Sequence, residues 1–189
     1  MEKLYDEWSD SGRVPRTSHA LLAGGRVWLI DPVDVADLDE RVRALGEPGA
    51  VLQLLDRHNR DCASIALRLG VEPRRAWESV GDAPFDVRPV RANRFWREVA
   101  LWDAESSTLV SPDALGTVPA FRAPGERLGW HPLVRPLPPR SAFARIEPER
   151  ILVGHGPALT EDASGALSDL LANGRGRLFS AWRAAVTSR

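Results

Sequence analysis

The chain has 189 residues, with 25 basic against 26 acidic side chains and a formal net charge of −1 at pH 7, a size that fits one domain burying roughly two-thirds to 70% of its unfolded surface. The two signs are interleaved, so no extended positive face is expected and nucleic acid is not the default partner. No apolar run approaches the roughly 20 residues that span a bilayer, the acidic start MEKLYDEWSDSGR lacks the apolar core of a signal peptide, and the lone Cys62 cannot close an intramolecular disulfide, so a soluble, cytoplasmic protein with no membrane partner is expected.

Residues 1–15 are polar, end in Gly12 and Pro15, and read as a loosely held arm in which Leu4, Tyr5 and Trp8 form one helical turn. Ser18 to Leu22 and Arg26 to Ile30 are short apolar runs joined by Gly24-Gly25, a hairpin signature, and the second run passes directly into Asp31-Pro32. In residues 35–45, Val35, Leu38, Val42 and Leu45 recur at helical spacing, with acids early and arginines late as the helix dipole favours; Gly46 ends the helix. Ala50 to Leu55 reads as a strand buried on both faces, and Ala63 to Leu69 as a helix closed by Gly70.

Between that strand and helix lies LLDRHNRDCAS, which crowds Arg57, His58, Asn59, Arg60, Asp61 and Cys62 into one junction. Phe85 to Val90, Glu98 to Trp102 and Thr108 to Val110 read as strands, with Ala104 to Ser107 as a turn. Residues 116–140 carry Pro119, Pro124, Pro132, Pro136, Pro138 and Pro139 and read as a connection, and as the expected lid. A short helix from Ser141 to Ile146 precedes the strand Arg150 to Val153, which ends in Gly154-His155-Gly156. Thr160 is the expected N-cap of a helix carrying Ala163, Leu167, Leu170 and Leu171, and a last helix carries Leu178, Ala181, Trp182 and Ala185. Trp28, Trp102 and Trp182 read as core and Trp96 and Trp130 as loop residues, while His19 and His131 read as ordinary polar side chains.

Four landmarks in this order carry a resemblance. VWLIDPVD looks like a second strand ending in an Asp and a turn; AVLQLLDRHNRDCASIALRLG looks like a strand, metal loop and helix of the H-x-H-x-D-H type; REVALWDAESSTLVSPDAL is similar to a hairpin delivering a bridging Asp; and RILVGHGPAL is similar to the strand before a last histidine. From about Ser18 to Leu171 the chain resembles the metallo-β-lactamase fold superfamily. The resemblance implies an α/β (α+β) architecture, a four-layer αββα sandwich of two mixed β-sheets flanked by helices, with residues 1–15 as an arm and 16–189 as one domain.

Active members hold two metal ions in an edge groove, where a metal-activated water attacks an ester, amide, thioester or phosphoester. On that pattern Arg57 and Asn59 stand where the first two histidines belong, and the third ligand position falls near Arg94 or Phe95, so the first metal is expected to be absent. A guanidinium stays protonated and offers only donors. Asp61, Cys62, Asp113 and His155 fall at the second metal position, with His58 at a spacer position pointing elsewhere. Asp, Cys, Asp and His form an acceptable zinc set, although the short thiol of Cys62 reaches less far than an imidazole and is as readily a small buried apolar residue.

The resemblance leaves alternatives open. The leading expectation is a degenerate, non-catalytic homologue with no cofactor, whose old groove takes a small anionic ligand or a protein partner through Arg57, Asn59 and Arg94. Arg57 would then replace the first ion by pairing with Asp113 or Asp61. The alternative is a mononuclear hydrolase of an ester, thioester or similar small substrate with one zinc, manganese or iron ion. A third reading, weaker on these residues, is a metal-free enzyme built on Cys62 and His155.

Overall fold

The computed structural model describes residues 4–10 and 15–187; Gly12 of the expected arm and the side chain of Ala185 lie outside the described residues. Tyr5–Ser9 (β1), Thr17–Ala23 (β2) and Arg26–Ile30 (β3) form an antiparallel meander. Gly24 and Gly25 turn the second hairpin at φ 56° and 75°, where a side chain would be strained. Strand β1 corrects the expected helical turn at Leu4, Tyr5 and Trp8: β2 offers every residue of this segment a cross-strand partner, whereas one isolated helical turn satisfies almost none of its own backbone groups. Trp8 is buried and donates its indole N–H to Val33 O at 2.8 Å.

Leu38–Leu45 (α1) buries Leu38, Val42 and Leu45, and Pro48–Gln53 (β4) runs parallel to β3, buried at every position. Cys62–Leu69 (α2) is closed by Gly70 in the left-handed region. Glu72–Arg75 (β5) was not legible in EPRR; it pairs with β4 alone, and an edge position tolerates the N–H that Pro73 lacks. Asp86–Asn93 (β6), Trp96–Asp103 (β7) and Thr108–Ser111 (β8) make a second antiparallel run. Leu115–Gly116 (β9) pairs with Gly129–Trp130 (β10), and Arg150–Val153 (β11) runs parallel to β8. Ala163–Asn173 (α3) and Leu178–Thr187 (α4) complete the chain.

Two mixed sheets result, β1-β2-β3-β4-β5 and β6-β7-β8-β11. Between them pack Leu21, Trp28, Ile30, Leu52 and Leu54 against Val99, Leu101, Val110 and Leu152. The outer face of the first sheet is covered by α1 and α2 through Val27, Leu29, Val51, Val42 and Ile65. The outer face of the second is covered by α3 and the 115–143 segment through Leu109, Ile151, Trp130, Phe143 and Leu167. The order helices, sheet, sheet, helices is the expected four-layer sandwich. Among the described residues no helix is long and apolar enough to cross a membrane.

Several local expectations are corrected. Thr160 does not cap α3, which starts at Ala163 after Asp162 in the left-handed region. The helix expected from Ser141 to Ile146 is a 3-10 turn at Arg140–Phe143. Trp96 and Trp130 are buried, and Trp182 is 42% exposed on α4. The proline-rich connection is packed around a buried ion pair: Arg135 meets Glu126 Oε2 at 2.6 Å and Oε1 at 3.0 Å, and donates to Phe121 O and Gly174 O. Prolines do not by themselves report a loose segment, because the carbonyls and apolar groups around them still need partners.

Candidate metal centre

Strand register decides which side chains meet at the sandwich edge. Parallel β8 and β11 pair Ser111 with Val153, so the residues two positions beyond each, Asp113 and His155, leave the sheet together. Gly154 makes the close crossing possible: it donates to Pro112 O at 2.9 Å, and a Cβ there would lie 2.2 Å from that oxygen. Asp113 is then held from below by Glu98 of β7, whose Oε1 accepts N–H bonds from Asp113 and Ala114 at 3.1 and 2.8 Å. The other oxygen of Glu98 accepts the Trp96 indole N–H at 2.8 Å. Burial pushes this carboxyl up to about 8, and the Asp113 charge adds to the shift.

The loop after β4 is fixed from both sides. Asp31 at the end of β3 accepts the Leu54 N–H; burial raises its carboxyl to about 6 against the opposing Arg60 guanidinium. Asp56 and Arg97 exchange backbone and side-chain hydrogen bonds, which zips the loop onto β7. Arg60 adopts φ 45° and donates to Thr17 O, Asp31 O and Gly154 O, the ends of three strands. These tethers break regular alternation along the loop, and each side chain takes its own direction. Arg57 stacks over the Trp96 ring at 4.5 Å. His58 turns inward, and Asn59 accepts from Gln53 Nε2 at 3.0 Å.

Three ligand atoms converge as a result. Asp113 Oδ1 lies 3.2 Å from His155 Nε2 and 3.5 Å from His58 Nε2, and the ligating atoms of His58, Asp113 and His155 all fall within 4.8 Å of one another. Neither approach has hydrogen-bond geometry: Asp113 Oδ1 is buried with no hydrogen-bond partner. His155 Nδ1 meets Pro15 O at 3.0 Å, and since a carbonyl only accepts, the proton of the neutral ring resides on Nδ1 and the lone pair of Nε2 faces the carboxylate. Two acceptors at this distance call for a cation between them, and an outer hydrogen bond to the far ring nitrogen is the usual companion of a metal-binding imidazole. Two imidazoles and a carboxylate suit zinc, manganese or ferrous iron and leave positions open for a further ligand.

The residues singled out from sequence are divided by this geometry. It brings Asp113 and His155 together and adds His58, which sequence reasoning had set aside as a spacer. Asp61 and Cys62 stand outside the group. Asp61 Oδ2 accepts the Asp34 N–H at 2.8 Å, while Cys62 is buried in the layer between the first sheet and α2, where burial pushes its thiol up. Arg57 is not paired with Asp113 or Asp61; the loop lays it on Trp96 instead. Asn59 faces a separate cavity of about 620 Å³ with Arg60, Arg74 and Arg75. Arg94 stacks on exposed Phe95 in the turn between β6 and β7.

Two further residues were missed. Glu98 had a weak signal, a carboxylate alternating with Trp96 and Ala100 on one strand face. His131 had none. It stands edge-on to Trp96 at 5.2 Å and to Phe121 at 4.9 Å, and Phe121 lies 5.5 Å from His155. Burial holds its ring at about 4; Asp113 favours the charged form while Arg57 and His155 oppose it.

No family model matches the chain, and no curated protein matches it. Among solved structures, the chain is similar to DIM-1 metallo-β-lactamase at 10% identity, with a TM-score of 0.51 over 100% of this chain and 96% of that one. The same enzyme exposed to ceftazidime matches at 12% identity and a TM-score of 0.52, covering 98% of this chain and 93% of that one. The chain has the metallo-β-lactamase fold.

Proposed function

We propose that the chain is a mononuclear metal-dependent hydrolase, with His58, Asp113 and His155 holding one divalent ion. The observation that carries this reading is the buried, partnerless Asp113 Oδ1 between two imidazole nitrogens at 3.2 and 3.5 Å. A divalent ion bound there would lower the pKa of a coordinated water and polarise an ester, thioester or phosphoester. The chain's own part is to keep the ligands in place. Glu98 fixes the backbone of Asp113, Pro15 O fixes the His155 ring, and Arg60 ties the loop that carries His58 to three strand ends. On the sequence resemblance, Arg57 and Asn59 fall where the first-metal histidines belong, which supports one ion and not two.

A second reading, a non-catalytic binder in this fold, is favoured by Arg57, a fixed positive charge at the rim that offers only donors. Hydrolysis separates the two. Protein loaded with Zn²⁺ or Mn²⁺ is expected to cleave p-nitrophenyl esters or bis-p-nitrophenyl phosphate, and Asp113→Asn to lose at least about a hundredfold of that rate, the scale of a removed electrostatic stabiliser. No metal-dependent turnover of any member of an ester, thioester and phosphodiester panel would leave the non-catalytic reading standing.

A further inference from the structure

The contacts around the centre close into a ring. Arg57 lies on Trp96, Trp96 meets His131 edge-on, His131 meets Phe121, Phe121 leans on His155, and His155 and His58 meet at Asp113. Arg57 and His58 are consecutive, so the loop completes the circuit. One side of this ring is the candidate metal centre. The other carries two hydrogen-bond donors that no described residue consumes.

Arg57 is the first donor. Among the described residues it has no acidic partner, in a protein where Arg26, Arg41, Arg68, Arg74, Arg88 and Arg177 all do. It is nevertheless held: Trp96 supports its plane, and the Trp96 indole is itself pinned to Glu98. A guanidinium braced by a ring loses less freedom on forming a forked contact, and its planar fork matches a carboxylate or phosphate. His131 is the second donor. Its Nδ1 accepts the Leu133 N–H at 3.1 Å, so the proton of the neutral ring sits on Nε2, and Trp96 and Phe121 fix the ring plane from two directions.

We propose that Arg57 and His131 form an oxyanion-binding subsite, and that the protein's substrate carries a carboxylate or phosphate group beside the bond that is cleaved. This rests on the reading of His58, Asp113 and His155 as the metal centre, which Arg57 adjoins in sequence and His131 adjoins through Phe121. An anion there gains a charged, bidentate contact from Arg57 and a neutral donor from His131, while the guanidinium remains unable to compete as a ligand. Neither residue activates water; both are binding residues.

The test is calorimetric titration of inorganic phosphate, and separately of acetate, into the full chain, with saturating Zn²⁺ and again after chelator treatment. The wild type is expected to bind at least one of the two. Arg57→Gln is expected to weaken that binding about tenfold or more, the worth of one charge-assisted contact, and His131→Gln by a smaller factor, with Zn²⁺ affinity unchanged in both. Arg57→Lys keeps the charge without the fork and is expected to fall between the two. Arg175→Gln, an exposed arginine distant in sequence, controls for net charge and is expected to match the wild type. Tighter phosphate assigns a phosphorylated substrate and tighter acetate a carboxylate. Wild-type anion affinity in folded Arg57→Gln, or an equal loss in Arg175→Gln, would overturn the proposal. If Zn²⁺ fails to bind any variant, the metal reading falls by itself, and the chelated series still reports on the anion.

Discussion

His19 illustrates how single buried groups set the pH range of this molecule. It is fully buried in β2, its Nε2 meets Val153 O at 2.9 Å, and its Nδ1 lies 3.8 Å from Glu7 without a hydrogen bond. Burial, opposed by the Val153 carbonyl and assisted by the Arg60 charge, lowers its pKa from 6.5 to about 4. The unfolded chain therefore binds the extra proton first, and stability falls as pH drops through that window, by as much as about 3 kcal/mol from this group. Urea unfolding between pH 7 and 4.5 is expected to show a shallower fall in His19→Gln than in the wild type. An identical slope would assign the acid sensitivity to other groups. The site was half legible at this scale. Asp113 and His155, two members of the candidate cluster, were singled out because each follows a strand with a recognisable ending. His58 was missed because its direction is set by Arg60 reaching strand ends at residues 17, 31 and 154, contacts that leave no trace in local spacing. His131 was hidden in the same way, inside a proline-rich stretch whose packing depends on Trp96 and Phe121.

Elements matter here mainly through where they end. Asp113 and His155 adjoin because β8 and β11 share a register and Gly154 lets their ends cross. Gly154→Ala should destabilise the fold by about 1–3 kcal/mol through overpacking and weaken Zn²⁺ binding. A variant with wild-type urea midpoint and wild-type Zn²⁺ affinity would refute the role given to that crossing. The segment between β8 and β11 depends on Arg135. With Arg135 removed, buried Glu126 keeps only the longer approach of Arg177 at 3.6 Å, so Arg135→Met should cost about 3 kcal/mol in urea unfolding, the low end for a broken buried pair; a loss below about 1 kcal/mol would show the pair to be dispensable. Strands and helices with strong periodicity, from β2 through α2, were readable because one apolar face decides their structure. β1 and β5 were not. Each owes its conformation to an edge it pairs with, and EPRR and YDEWS have no apolar alternation that announces it.

At the scale of the whole molecule, the four layers follow from three apolar clusters stacked in order, and the sequence showed them as alternating strand and helix patterns in the correct chain order. That architecture delivers the ends of β3, β4, β8 and β11 to one edge, where His58, Asp113 and His155 converge and where the proposed cation and anion sites would adjoin. What the sequence could not assign was which loop residues face inward there, because that is decided by long-range tethers. The most direct measurement is Zn²⁺ stoichiometry by calorimetry on metal-free protein, in the wild type and in Asp113→Asn, His58→Gln, Asp61→Asn and Cys62→Ser. The account predicts one ion per chain, lost or much weakened in Asp113→Asn and His58→Gln and retained in Asp61→Asn and Cys62→Ser. Two ions per chain, or binding that survives Asp113→Asn and disappears with Cys62→Ser, would contradict it.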